Sequence, residues 1–244
     1  MFDGLMPAMV TPFDEQGELD LGAAEAVELA RHAEGAGADA VLAVSPFYWK
    51  VGEAALFNHF ATVANSVEIP VLLYNIPMLT GIDLSPALIG RLAGECENVV
   101  GIKDTVTVYG HTVSVLQAVK AEKPDFTVLS GWEDLIFPSL VAGADGSICA
   151  FANVAPELFV NLVKSTREGD LDTAARLHRR VLELVTLGAH SDPPIGAIKL
   201  AMQILGVPIS PTVRGPALPA DEGAREEVEA VLDNAGVLDP SKAL

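Results

Sequence analysis

Asn98-Val99-Val100-Gly101-Ile102-Lys103-Asp104-Thr105 is an apolar run that closes on a charged pair. Short uninterrupted aliphatic runs of this kind read as strands buried on both faces of a parallel sheet. A lysine at the C-terminal end of such a strand meets poorly solvated surroundings, and desolvation favours the neutral amine. A neutral, positioned amine is what imine formation on a ketone requires. Taken alone, the run has a plainer alternative. Lys103 could reach solvent or pair with Asp104, because charged side chains are seldom buried alone.

Outward from this run, short apolar segments alternate with amphipathic ones. The pattern predicts strands over Leu5–Val10, Ala40–Val44, Val71–Tyr74, Val99–Lys103, Thr127–Ser130 and Gly146–Ala150. Helices are expected over Gly22–Glu34, Ala54–Ser66, Pro86–Gly94, Val108–Ala121, Glu133–Ala142, Pro156–Glu168, Leu171–Leu187, Pro194–Leu205 and Asp221–Asn234. Strand–helix–strand alternation implies a parallel sheet with right-handed crossovers. Gly35-Ala36-Gly37-Ala38-Asp39-Ala40 and Ala142-Gly143-Ala144-Asp145-Gly146 each follow a helix and precede a strand. Glycine there fits a left-handed helix C-cap. A phosphate loop fits less well, since phosphate-binding glycines precede helices.

Composition narrows the function classes. The 33 acidic residues against 15 basic ones give a net charge of −18, which argues against nucleic acid or an anionic membrane surface as partner. Cys96 and Cys149 supply neither a disulfide framework nor metal-ligand spacing. The five histidines (His32, His59, His111, His178, His190) form no paired ligand motif, so neither a metal nor another cofactor is expected. The start, Met1-Phe2-Asp3-Gly4, lacks a basic and apolar leader pattern, and no apolar run approaches a membrane span. A cytoplasmic protein is expected.

In a parallel barrel, chemistry gathers at the C-terminal ends of strands. Those ends carry Thr11-Pro12-Phe13, Ser45-Pro46-Phe47-Tyr48, Tyr74-Asn75-Ile76-Pro77, Lys103-Asp104-Thr105, Ser130-Gly131-Trp132-Glu133-Asp134 and Phe151-Ala152-Asn153. Tyr74 could relay protons to and from a carbinolamine at Lys103; equally, its hydroxyl could find a structural partner. Glu133 and Asp134 could accept hydrogen bonds from substrate hydroxyls, or serve as ordinary helix N-terminal acids.

Together these pieces resemble the N-acetylneuraminate lyase / dihydrodipicolinate synthase family of pyruvate-dependent class I aldolases. The matching motifs are Met9-Val10-Thr11-Pro12-Phe13, Ser45-Pro46-Phe47-Tyr48, Tyr74-Asn75-Ile76-Pro77 with Thr80-Gly81, Gly101-Ile102-Lys103-Asp104-Thr105, Leu129-Ser130-Gly131 and Ala142-Gly143-Ala144-Asp145-Gly146. Val213-Arg214-Gly215-Pro216 is also similar to the family's tail. The resemblance implies an α/β fold, a TIM-barrel-type parallel (β/α) barrel over 1–155 followed by a C-terminal helical region over 156–244. It implies a homo-tetramer or dimer acting on a small keto acid. By descent, Lys103 becomes the Schiff-base lysine and Tyr74 the catalytic tyrosine. Tyr48 matches the tyrosine that family members extend into a neighbouring subunit's site. Thr11, Leu79, Thr80, Gly131, Glu133 and Asp134 fall at substrate-binding positions.

Two departures qualify this. The family's Gly-Thr-Thr-Gly-Glu loop, which holds the pyruvate carboxylate, is missing; six strands are expected instead of eight, with the second and third absent. Secondly, the synthase branch carries an arginine where this chain has Leu79, and the Glu133-Asp134 pair resembles sugar-acid aldolases. The expected activity is cleavage of a 2-keto-3-deoxy sugar acid to pyruvate. The alternatives are dihydrodipicolinate synthase and a catalytically impaired homologue serving as a binding or assembly subunit.

Overall fold

The computed structural model describes residues 23–47, 49–221 and 223–239. They divide into two compact units. One takes in the described residues up to Trp132 together with Ala142–Ile148; the other comprises Glu133–Val141 and the described residues from Cys149 onward.

The first unit alternates helix and strand: α1 (Ala23–Gly35), β1 (Val41–Val44), α2 (Glu53–Ala64), β2 (Val71–Asn75), α3 (Pro77–Thr80), α4 (Pro86–Glu95), β3 (Val99–Asp104), α5 (Tyr109–Lys120) and β4 (Thr127–Ser130). After α6 (Ile136–Val141), which belongs to the second unit, the short β5 (Gly146–Ser147) returns to the sheet. All pairings are parallel, in the order β1-β2-β3-β4-β5. Every strand therefore ends on the same side. The expected strand over Leu5–Val10 lies outside the described residues. The last expected strand is shorter than its apolar run, because only Gly146 and Ser147 pair with β4.

One face of the sheet is covered by helices. Val41, Ala43, Val71, Leu73, Val99, Ile102 and Val128 pack with Leu56 and Phe60 of α2, Leu88 and Leu92 of α4, and Val115 and Val119 of α5. Ala40, Leu42, Leu72, Tyr74, Val100 and Leu129 gather on the opposite face. Strict alternation from Val99 would send Lys103 to the helix side. It does not arrive there, because the β2–β3 register slips by one residue: Val71 pairs with Val99, but Leu72 pairs with Gly101. The extra residue, Val100, shifts Ile102 onto the helix side and Lys103 onto the opposite face beside Tyr74. Gly101 allows this close packing. A Cβ there would sit 2.8 Å from the Thr127 carbonyl oxygen and 3.3 Å from Leu72 Cδ2.

The other end of the sheet is tied by side chains that bond backbone. Asn98 Nδ2 donates to the carbonyls of Ala64 (2.8 Å) and Val67 (3.0 Å), and Lys123 Nζ to that of Val99 (2.8 Å). Asp145, in the turn before β5, accepts from Val128 N–H and from Lys120 Nζ, both at 2.8 Å. The two glycine turns have the left-handed backbone expected of them, at Gly37 (φ 86°) and Gly143 (φ 109°).

The second unit is helical: α6, α7 (Pro156–Arg167), α8 (Leu171–Leu184), α9 (Ile195–Ile204) and α10 (Ala224–Asn234). Asp170 caps α8 by accepting Thr173 N–H at 3.1 Å. Ala174, Leu177, Val181 and Leu184 form its buried stripe, which packs with Leu158 and Leu162 of α7 and with Val228 and Leu232 of α10. Arg180 donates to the carbonyls of Ala235 (2.8 Å) and Gly236 (2.9 Å), fastening the end of α10.

Two expected helices differ in form. The segment expected as one helix over Glu133–Ala142 opens with a 3-10 turn, Glu133–Leu135, before α6. Pro138 has no N–H to give the carbonyl of Asp134, so a continuous α-helix cannot run from Glu133; proline is tolerated in the first turn of a helix that starts at Ile136. The helix expected over Leu171–Leu187 ends as α at Leu184 and tightens into 3-10 over Val185–His190. The one-turn helix α3 was not expected. Its signals are in the sequence: proline at the first helical position and Gly81 at the left-handed cap (φ 70°).

Candidate active site at the strand ends

Lys103 and Tyr74 are register partners on β3 and β2. Their side chains meet on the face away from the helices, with Lys103 Nζ 3.0 Å from the Tyr74 hydroxyl oxygen. Lys103 Nζ also lies 4.1 Å from the centre of the phenol ring. Both residues are half-buried, so the pair is shielded yet reachable.

Gly131 follows β4 on the next strand over. A Cβ there would overlap the Thr105 side chain and fall 3.1 Å from Lys103 Cε. Any larger residue would push into the lysine stem. Thr105 Oγ1 is buried and has no hydrogen-bond partner among the described residues. The lysine stem and this hydroxyl therefore both lie beside Gly131, and the phenol meets the amine beyond them.

One residue further along each strand, the side chains point to the helix side. Asn75 and Asp104 are register partners, 0% and 1% exposed. A buried carboxylate is costly unless its lone pairs are occupied. Here Asp104 Oδ1 accepts from Asn75 Nδ2 at 3.0 Å, and Oδ2 from Thr112 Oγ1 at 2.8 Å. His111 Nδ1 stands 3.0 Å from the same Oδ2, and its Nε2 stands 2.9 Å from the Leu84 carbonyl oxygen and 3.4 Å from Asp83 Oδ1. Asn75 completes the ring of contacts, giving its amide to Asp83 (2.8 Å) and accepting Leu84 N–H (3.1 Å). Burial opposes a charge on His111. The hydrogen bond and field of Asp104, the Leu84 carbonyl and the field of Asp83 outweigh it and raise its pKa to about 9.

The other expected site residues are more scattered. Leu79 lies on α3 and is 72% exposed. The Thr80 hydroxyl is engaged locally, with the Ile76 and Ile82 carbonyls each at 3.1 Å. Glu133 belongs to the second unit, where its Oε1 accepts Ala150 N–H (3.0 Å) and Phe151 N–H (3.4 Å) at the start of a 3-10 turn, Phe151–Asn153. Burial pushes its carboxyl pKa up, partly offset by these amides. Asp134 follows it in the 3-10 turn. Thr11 and Tyr48 lie outside the described residues. Among the described residues, no group of three or more His, Cys, Asp or Glu side chains is placed to hold a metal ion, and no helix is long and apolar enough to cross a membrane.

Sequence reading missed the Asn75–Asp104–Thr112–His111 network. Its signal was an asparagine and an aspartate each directly following a proposed catalytic residue at the end of an apolar strand. His111 could not be connected to them from sequence, since the turn into α5 decides where it points.

Comparison with known proteins shows the family. Residues 21–235 match the model of the "Dihydrodipicolinate synthetase family". The chain belongs to this family. Relatives at higher identity include an Escherichia coli K12 protein named "Probable 2-dehydro-3-deoxy-D-pentonate aldolase YjhH", 43% identical over 214 residues, which are 88% of this chain and 71% of the relative. The crystal structure of YagE, an Escherichia coli K12 prophage protein of the same family solved with pyruvate, superposes with a TM-score of 0.86 at 42% identity, covering 89% of this chain and 73% of that one. A dihydrodipicolinate synthase from Thermotoga maritima superposes at 0.84 with 31% identity, covering 88% and 72%. The parallel α/β arrangement with C-terminal helices is thus the TIM-barrel-type fold of the dihydrodipicolinate synthetase family.

Proposed function

We propose that this chain is a class I aldolase that cleaves 2-keto-3-deoxy sugar acids to pyruvate and an aldehyde, with Lys103 as the Schiff-base amine and Tyr74 as the proton relay. The observation that carries the reading is the 3.0 Å contact between Lys103 Nζ and the Tyr74 hydroxyl. The names of the relatives support the substrate class: YjhH is named as an aldolase of a 2-dehydro-3-deoxy sugar acid, and YagE was crystallised with pyruvate.

The chemistry runs as follows. The free amine attacks the C2 carbonyl of the keto acid, and Tyr74 passes protons as the carbinolamine loses water. The protonated imine draws electrons from the C3–C4 bond. That bond breaks as the C4 hydroxyl gives up its proton, releasing the aldehyde and leaving an enamine. Protonation at C3 and hydrolysis of the imine then release pyruvate and restore the amine.

Gly131 is assigned to the bound keto acid's side of the lysine, its missing Cβ leaving the Lys103 stem and the Thr105 side chain in place. Glu133 and Asp134 are assigned to substrate hydroxyls, Leu79 and Thr80 to the rim beyond Tyr74, and Thr11 and Tyr48 to the positions that the family motifs give them. The enzyme is proposed to be cytoplasmic and to work as a homo-oligomer, a tetramer or a dimer.

Borohydride treatment in the presence of pyruvate tests the reading. Mass spectrometry should find the reduced adduct on Lys103, and Lys103→Ala should remove it. An adduct that persists in that variant, or sits on Lys50 or Lys199, would sink the assignment. With the adduct in place, a direct competition between a 2-keto-3-deoxy sugar acid and aspartate semialdehyde plus pyruvate separates aldolase from synthase. Leu79, in place of a cationic residue, predicts the higher kcat/KM for the sugar acid.

A further inference from the structure

His111 touches neither Lys103 nor Tyr74, yet it is bonded to the residue that follows one of them and shares that partner with the residue that follows the other. Its two ring nitrogens face only acceptors. Nδ1 meets the Asp104 carboxylate, and Nε2 meets the Leu84 carbonyl with Asp83 close behind. A neutral imidazole has one donor and one acceptor nitrogen, so in either tautomer a lone pair would face an oxygen. The geometry asks for the doubly protonated ring. Asp104 from β3 and Asp83 from the turn before α4 are the charged groups that face it; Thr112 and Asn75 are its neutral neighbours in the network.

We propose that His111 is a positioning residue that, as an imidazolium, locks Asp104 and Asn75 together behind the sheet and so holds the strand ends that present Lys103 and Tyr74. This rests on the aldolase reading above. The lock works in two ways. Mechanically, Asn75 and Asp104 are joined by a hydrogen bond on the helix side directly behind the catalytic pair, so the β2 and β3 ends cannot slide past each other. Electrostatically, the imidazolium cancels the buried Asp104 charge one residue from Lys103. Without it, an uncompensated carboxylate would favour the ammonium form of the lysine and raise the pH at which imine chemistry begins.

Nitrogen NMR of the imidazoles in the unmodified protein is the first test. His111 should be doubly protonated at pH 7.5; a neutral ring there overturns the proposal without any variant being made. The second test follows the pH dependence of borohydride-trapped pyruvate at Lys103 in His111→Gln. Trapping at pH 7.5 should fall about 10-fold, and the midpoint should move up by about one pH unit, as expected for one unit charge uncovered at a separation of several ångströms. Adding Asp104→Asn should bring the midpoint back toward the parental value. A His111→Gln protein that loses thermal stability while its midpoint stays put makes the histidine merely structural and overturns the proposal. So does a double variant as displaced as the single one. Should His111→Gln fail to fold, the NMR titration decides alone. Absence of any adduct in the parental protein would defeat the aldolase reading, while the protonation of His111 would still be read independently.

Discussion

The ends of β2 and β3 and the turn after β4 looked alike in the sequence: each is an apolar strand followed by polar residues. The structure treats them differently. At β2–β3 the front pair, Tyr74 and Lys103, is half-buried and joined by one contact, while the rear pair, Asn75 and Asp104, is fully buried and bonded on every side. After β4, Glu133 turns to cap the 3-10 helix at Phe151. An acid on a strand that is gripped from behind can serve as scaffold for its neighbour, whereas an acid at a helix start is drawn to the nearest free amides.

The comparison breaks most sharply at Tyr74. Tyr74→Phe should slow sugar-acid cleavage by about 100-fold or more if proton relay is lost, with the melting temperature unchanged. Turnover at the parental rate would remove the front pair from the chemistry. The rear pair should fail the opposite way. Asn75→Ala strips a donor from buried Asp104 and an acceptor from Leu84 N–H, and should cost about 2–4 kcal/mol in denaturant unfolding. A loss below about 0.5 kcal/mol would mean that the network is not carrying the strand ends.

The pH dependence sharpens the same contrast. His111 binds its proton more tightly folded, at about 9, than at its ordinary 6.5. The stability it contributes is complete below about pH 6.5 and is lost as pH rises through about 9, on the order of 3 kcal/mol in all. Denaturation midpoints taken from pH 6 to 10 should fall over that window, and His111→Gln should flatten the fall. A parental curve that is already flat would contradict the charged ring.

Smaller effects are expected at the register slip and at the turn. Gly101→Ala places a methyl against the Thr127 backbone and should cost about 1–3 kcal/mol. It should also lower kcat, because the slip sets the face of Lys103. A variant with parental stability and kcat would show that the sheet tolerates another register. Glu133→Ala should cost about 1 kcal/mol, as for other lost caps, and Glu133→Gln less, since its amide oxygen can still accept. A larger loss of sugar-acid kcat/KM than of stability in Glu133→Gln would mark it as a substrate ligand.

Much of this was legible from sequence because it depends on near neighbours. Apolar runs of four to six residues become strands wherever helices cover them, and proline and glycine at Pro77 and Gly81 mark a one-turn helix whose signals only needed reading. Pro138 likewise foretells the broken helix through its missing N–H. The Lys103–Tyr74 pair was legible through family motifs rather than through periodicity. Simple alternation from Val99 puts Lys103 on the wrong face.

Sequence alone therefore determined the parallel α/β order and the acidic balance, through residue type and local spacing, and the candidate lysine and tyrosine, through the family motifs. The tertiary structure alone decided which way those residues point. The slip at Val100 turns Lys103 toward Tyr74, because Gly101 lets β3 press against Thr127. The turn into α5 carries His111 back to Asp104, and a buried carboxylate, which must find donors wherever the fold can supply them, takes what β2 and the first turn of α5 bring. Such long-range satisfaction leaves no period in the sequence.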